Sequence, residues 1–216
     1  MRKYLAEGIG TFTLVFCGTG AIVVHDVSGG IVGHQGIALT FGAVVAAMIY
    51  ALGPISGAHI NPAVTVGFAF SRQFQIQHVL PYIVAQLVGA VAASLLLRLL
   101  FPIHEQLGAT LPSGSVMQSF IFETVLTYFL MLVILLVGLS EDKRTASFTG
   151  IAVGAMVGLE ALFAGPICGA SMNPARSFAP ALVAQVWTAW WIYWIAPLSG
   201  AILATLTWRY LRKETE

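Results

Sequence analysis

The sequence predicts an all-α membrane protein of six transmembrane helices and two re-entrant half-helices, built as an inverted internal repeat within a single domain. Three observations carry this expectation. Hydrophobic residues make up 58% of the 216 positions and charged residues 9%, with a mean hydropathy of +0.87, whereas a soluble domain has roughly a quarter charged residues. Charges are absent between Asp26 and Arg72, between Arg72 and Arg98 and between Arg176 and Arg209, and each interval can hold at least one span of about 20 residues. The stretch from Gly53 to Thr65 recurs 112 positions later, from Gly165 to Ser177, with Gly-Pro-Ile, Gly-Ala and Asn-Pro-Ala coinciding. A repeat of this kind implies two equivalent halves, about 4–101 and 116–210.

The first span is expected from about Tyr4 to Val24. Met1-Arg2-Lys3 resembles the start of a signal peptide, but Glu7 interrupts the apolar run and no small-residue cleavage site follows, so a retained span is the better reading. A Gly-rich loop with His25, Asp26 and His34 leads to span two, about Ile37 to Leu52. After Asn61 the apolar segment lasts only to about Phe70 before Ser71-Arg72-Gln73; ten residues reach roughly 15 Å, half of a hydrocarbon core of about 30 Å. Span three covers about Val79 to Phe101, and the loop from Pro102 to Ser115 joins the halves. The second half repeats this plan: span four at about Val116 to Leu139, a charged loop Glu141-Asp142-Lys143-Arg144, span five at about Phe148 to Ala164, a half-helix from Asn173 to about Val183, and span six at about Trp187 to Tyr210. Trp187, Trp190, Trp191, Trp194 and Trp208 suit the membrane interfaces. Glu7 with Thr11-Phe12 and Glu123 with Thr127-Tyr128 open the two halves alike.

Each Asn-Pro-Ala triplet reads as a helix start, with Asn61 or Asn173 as N-cap and Pro62 or Pro174 in the first turn, ahead of Ala63 or Ala175. Alternating spans place Arg2, Lys3, Arg72, Lys143, Arg144, Arg209, Arg212 and Lys213 on one face, with Arg98 and Arg176 toward the other. The basic face is read as cytoplasmic, with both termini inside. Three spans per half invert the second half, so the two half-helices enter from opposite sides and point their N-termini at each other. Non-helical backbone at membrane depth is tolerated only where it is buried in protein or lines a water-filled cavity. Each terminus carries roughly +0.5 charge, which repels cations and protons. The caps use their side-chain oxygens on their own helices, so the Asn61 and Asn173 amide N–H groups are expected free to face the lumen. Arg176, three residues after Asn173, is an intramembrane charge and a functional residue by default. Glu7 and Glu123 bear the same cost and are read as supports that accept N–H groups from the loops. Glu160 is expected to meet loop N–H groups or vestibule water rather than the lumen.

With those residues in place, the two boxes in Ser-Gly-Ala-His-x-Asn-Pro-Ala-Val-Thr and Gly-Ala-Ser-x-Asn-Pro-Ala-Arg-Ser contexts, together with Ala6-Glu7 through Thr11-Phe12, resemble the aquaporin (major intrinsic protein) family from about Tyr4 to Tyr210. The resemblance implies an hourglass pore in each subunit, a homotetramer in the plasma or inner membrane, and an aromatic/arginine selectivity filter formed here by Phe41, Ala161, Ala170 and Arg176. His59 resembles the family's lumen-side histidine, whose neighbouring carbonyls guide solute; loop packing is the alternative role. Strict water channels usually carry His where Ala161 stands, and glycerol facilitators carry Asp where Ser177 stands. The segment through Ser177 looks most like the nodulin-26-like branch, whose members pass water, glycerol and small uncharged metalloid acids such as arsenous, boric or silicic acid.

The expected function is therefore a passive channel for water and small neutral solutes, with a strict water channel as alternative. A secondary transporter shares inverted repeats and broken helices, but coupling carboxylates near the boxes are scarce. An intramembrane enzyme would need a Ser/His, paired Asp or metal constellation, and none is apparent. No cofactor is implied. His25, His34, His78 and His104 lack ligand spacing, so no metal is expected, and a net charge of +1 gives no nucleic-acid surface. Cys17 and Cys168 read as reduced and structural, and the Gly/Ala runs at Gly89 to Ala93 and Gly150, Gly154 and Gly158 as close helix packing.

Overall fold

The structure, a computed structural model, describes residues 1–213. Six long helices form the bundle: α1 (Arg2–Val27), α2 (Gly33–Ser56), α4 (Val79–Leu100), α5 (Val116–Gly138), α7 (Thr149–Cys168) and α9 (Ile192–Lys213). Two short helices, α3 (Pro62–Phe70) and α8 (Pro174–Ala184), follow the two repeated stretches, and α6 (Lys143–Ser147) lies between α5 and α7. Five of the long helices are long and apolar enough to cross a membrane by themselves. The sixth, α9, is 22 residues long and mixes Ser, Thr, Tyr, Trp and Pro197 with its aliphatic residues.

The long helices show one face to lipid and one to the bundle. On α4, Leu80, Val84, Val88, Leu95 and Leu99 are exposed, while Tyr82, Gln86, Gly89, Ala90, Ala93, Ser94 and Leu97 are buried. The one charge on α4, Arg98, lies in its last turn, and the apolar stripe at helical spacing suits a hydrocarbon solvent. Neighbouring helices approach closely where glycine removes the side chain. A Cβ at Gly89 would lie 2.1 Å from the Gly8 carbonyl oxygen, one at Gly200 2.3 Å from that of Thr124, and one at Gly154 2.5 Å from that of Gly42. These contacts bring α1 against α4, α5 against α9 and α2 against α7, the small-residue packing that lets helices associate in lipid.

Several boundaries differ from the sequence expectation. Helices α2 and α7 run past Leu52 and Ala164 to Ser56 and Cys168, through Pro54 and Pro166. Proline costs a helix one backbone bond, and here each lies in the last turn, which ends on a left-handed glycine. Gly57 (φ 86°) and Gly169 (φ 84°) donate their N–H groups to the carbonyls of Gly53 and Gly165, a glycine C-cap. The expected loop at 141–144 is partly helical, because Asp142 caps α6 by accepting from the Arg144 and Thr145 N–H groups. The Thr145 hydroxyl, followed by those two N–H groups, holds the exposed Asp142 carboxyl below its ordinary range. The carboxyl terminus and the Lys213 side chain, both expected on the cytoplasmic face, lie outside the described residues.

Candidate pore

The two half-helices meet through their caps. Asn61 Oδ1 accepts from Ala63 N (2.8 Å), and Asn173 Oδ1 accepts from Ala175 N (3.0 Å) and Arg176 N (3.3 Å). Pro62 and Pro174 occupy the first turns. The amides are not both free, as the sequence reading expected. Asn61 Nδ2 donates to the Met172 carbonyl (2.8 Å) and Asn173 Nδ2 to the Ile60 carbonyl (2.9 Å). One N–H of each amide thus stitches its own loop to the opposite one, and the second N–H remains for the lumen. The stitch exists because the two loops touch back to front at the centre of the bundle, a proximity that lies 112 residues apart in the chain.

The loops leading to these caps are strained. Ala58 (φ 47°), Ile60 (φ 44°), Ala170 (φ 39°) and Met172 (φ 53°) all adopt left-handed backbone, which costs a non-glycine residue about 1–3 kcal/mol and is worst for a β-branched one such as Ile60. Two buried carboxylates hold this geometry. Glu7 Oε1 accepts from Ser56 Oγ (2.7 Å) and His59 N (2.9 Å), and Glu7 Oε2 accepts from Ile60 N (2.7 Å) and Gln86 Nε2 (2.7 Å). Glu123 accepts from Ser171 N (2.7 Å) and Met172 N (2.8 Å). With their N–H groups bound behind, the loops keep their carbonyls in front. Among the described residues, the carbonyls of Gly57, Ala58, His59, Ala170 and Ser171 accept no protein hydrogen bond, and all five residues line the central cavity.

That cavity has a volume of about 380 Å³. It runs from Gln73, Phe74, Leu139 and Thr149 at one end, past Asn61 and Asn173, to Phe41, Ala170 and Arg176 at the other. Val45, Ile49, Leu130, Ile134 and Val153 make the wall facing the carbonyls apolar. The Arg176 guanidinium is 5.0 Å from the Phe41 ring centre, and its Nη1 donates to the Gly108 carbonyl (2.8 Å). Gly18 makes room for Phe41, since a Cβ there would lie 2.2 Å from the ring. Of the four filter candidates, Phe41, Ala170 and Arg176 line the cavity together. Ala161 is buried one helical turn past Val157, and it is Val157 that reaches the cavity wall. His59 combines two placements. It lines the cavity, and it also stacks on Phe68 with centroids 4.6 Å apart and bonds to Thr65 Oγ1 (3.2 Å).

Glu160 does not meet loop N–H groups. It is buried, and among the described residues neither carboxyl oxygen has a partner. The Ser171 and Met172 N–H groups of the second loop are bound to Glu123 instead. Sequence reasoning missed Gln86, which donates to both Glu7 and Thr65, and Gly108, whose carbonyl holds Arg176. A lone Gln inside span three was the available signal for the first. Nothing in the sequence marks the second, because any residue supplies a carbonyl. Cys17 and Cys168 are free thiols, and among the described residues no group of three or more His, Cys, Asp or Glu could hold a metal ion.

A helical bundle that surrounds a continuous cavity, narrowed by two capped half-helices and a cation across from an aromatic ring, defines a membrane channel. The model of the major intrinsic protein family matches residues 1–208. The chain is 46% identical over 211 residues to a rice (Oryza sativa subsp. japonica) aquaporin, NIP1-4, covering 97% of this chain and 76% of that protein. It is 42% identical over 214 residues to nodulin-26 of Glycine max, covering 98% and 78%. The crystal structure of the aquaglyceroporin from Plasmodium falciparum superposes with a TM-score of 0.83 at 26% identity, covering 96% of this chain and 94% of that one. The chain belongs to the major intrinsic protein family. It is an integral membrane protein and a passive channel for water and small uncharged solutes, not an enzyme.

Proposed function

We propose that this channel passes water together with neutral solutes of about the size of glycerol or an undissociated metalloid acid, and that it excludes ions and protons. The observation that carries the solute range is the small Ala170 side chain in the cavity wall with the Phe41–Arg176 pair; Ala161, one turn beyond Val157, is read as a second small position behind that wall. The methyl of Ala170 leaves open a space that a larger side chain would close, and selectivity in such a pore follows its diameter and the donors and acceptors lining it. The free carbonyls of Gly57, Ala58 and His59 on one side and Ala170 and Ser171 on the other offer a line of acceptors to hydroxyl groups, while the opposite wall is apolar. A polyol or hydroxy acid has a hydrogen-bonding edge and a carbon or central-atom edge that fit those two walls. The similarity to proteins named aquaglyceroporin and nodulin-26 supports the same range.

Ion and proton exclusion rests on charge placed at the narrows. The N-termini of α3 and α8 face the centre with their partial positive charges, and Arg176 adds a full one. The unshared N–H of Asn61 and of Asn173 donates to the oxygen of a passing water, which turns that water's hydrogens outward and interrupts a proton-conducting chain. We assign Phe41, Ala161, Ala170 and Arg176 to the selectivity filter, Asn61, Pro62, Ala63, Asn173, Pro174 and Ala175 to the central constriction, His59 to the lumen wall, and Glu7 and Glu123 to loop support. The halves at about 4–101 and 116–210 form one channel domain in this reading, with both termini cytoplasmic, in a homotetramer of the plasma or inner membrane. The deciding experiment is stopped-flow light scattering of vesicles containing the pure protein under water, glycerol and arsenite gradients. Water flux with negligible glycerol and arsenite flux would return the protein to the strict water channels, and saturable ion-coupled uptake would make it a transporter.

A further inference from the structure

The loop between α4 and α5 carries an assembly that the channel function does not itself require. Its Gly108 carbonyl accepts from Arg176 Nη1, and Leu107 (φ 50°) and Gly108 (φ 72°) make a tight left-handed turn to present it. The turn is pressed against α1, where a Cβ at Gly108 would lie 2.9 Å from Thr19 Cβ, and the Leu107 side chain is fully buried with Val23 and Leu97. His104 ties the turn at its start. Its Nδ1 accepts from Leu107 N (3.0 Å), and its Nε2 lies 3.2 Å from Asp26 Oδ2 at the end of α1.

The hydrogen-bond pattern selects one state of the ring. Because Nδ1 accepts from a backbone N–H, it carries no proton, so the proton sits on Nε2 and points at Asp26. A second proton, on Nδ1, would face the Leu107 N–H donor to donor. It would leave a buried backbone N–H without its partner. The other charges around the ring are Arg98 on α4, whose Nη1 donates to the His104 and Pro102 carbonyls, and exposed Glu105, next in the loop. His25 faces away, accepting from Gly33 N.

We propose that His104 is a positioning residue for the filter: in its neutral form it clamps the Leu107–Gly108 turn that holds Arg176, and its protonation releases the clamp and changes which solutes pass. The proposal rests on the reading of Arg176 as a filter residue. The clamp therefore couples the charge state of one imidazole to the carbonyl that holds Arg176, and the pH dependence of solute selectivity is its readout.

The test uses proteoliposomes of the full chain, buffered alike on both sides, with water and glycerol permeabilities measured by stopped flow at about pH 5 and about pH 8. The expected result is a glycerol-to-water permeability ratio that differs about two-fold or more between the two pH values, in line with a filter set by geometry and donors. His104→Asn keeps an acceptor for Leu107 N but does not titrate, and it should hold the pH 8 ratio throughout. His104→Ala has no acceptor and should show the altered ratio at both pH values. Should glycerol fail to pass, water permeability alone carries the same comparison. A pH-independent ratio in the unmodified protein, or an undiminished response in His104→Asn, overturns the proposal. Arg176→Lys in the same assay separates the two readings. A changed ratio there with a pH-flat parent sinks the clamp and leaves the filter standing, whereas an unchanged ratio removes the filter reading beneath it.

Discussion

Replacing Glu7 by Gln changes one atom of the scaffold and tests whether carboxylates hold the pore loops. All four partners of Glu7, the Ser56 hydroxyl, the His59 and Ile60 N–H groups and the Gln86 amide, present donors. Glutamine keeps one acceptor oxygen and turns the other into an NH₂ group that faces two of those donors. If the NH₂ faces Ser56 and His59, the hydroxyl rotates away and the His59 N–H is left unpaired. If it faces Ile60 and Gln86, the Gln86 amide can flip, since its oxygen has no partner among the described residues, but the Ile60 N–H is stranded. Either way one buried backbone N–H loses its acceptor, which costs about 1–3 kcal/mol. That cost falls on a loop that already stores left-handed strain at Ala58 and Ile60. The expected outcome is a lower thermal transition in detergent and a water permeability per protein reduced several-fold, because loop conformers with misdirected carbonyls become populated. Thermal unfolding by size-exclusion chromatography and stopped-flow swelling of vesicles measure the two quantities. A Glu7→Gln protein with unchanged stability and unchanged water flux would refute the claim that this carboxylate positions the loop.

Four further outcomes are expected. Ala161→His should narrow the filter and cut glycerol or arsenite flux far more than water flux; equal losses for all solutes would mean that position 161 lies off the path. Arg176→Val should raise cation or proton leak in vesicles while water permeability persists, because the fixed charge at the narrows is gone. Gly18→Ala places a methyl 2.2 Å from the Phe41 ring, which must move toward the cavity, so the glycerol-to-water permeability ratio should fall in vesicle swelling. Glu160→Leu removes a buried carboxyl whose oxygens have no protein partner among the described residues; it relieves roughly 1–3 kcal/mol of desolvation, so the thermal transition should stay unchanged or rise. A marked loss of stability would show that Glu160 is satisfied in the membrane.

Much of this protein is determined by its sequence alone. Charge-free intervals of helical length suit spans in lipid, and the segment from Pro62 to Phe70, nine residues long, reaches only about half of one. The recurrence of Gly-Pro-Ile and Asn-Pro-Ala located both caps, because capping is local: an Asn oxygen reaches the N–H groups two and three residues ahead whatever surrounds it. The three-dimensional arrangement decided what depends on distant groups. The backbone at Ala58, Ile60, Ala170 and Met172 is left-handed although none is glycine, a choice no local propensity favours, and it is held by carboxylates 48 to 53 positions away. The exchange of Asn61 and Asn173 amides onto opposite loops, the carbonyl of Gly108 at Arg176 and the space Gly18 leaves for Phe41 belong to the same kind. Backbone carbonyls and missing side chains carry no residue signature, so only the packing of helices around the cavity selects which of them do the binding.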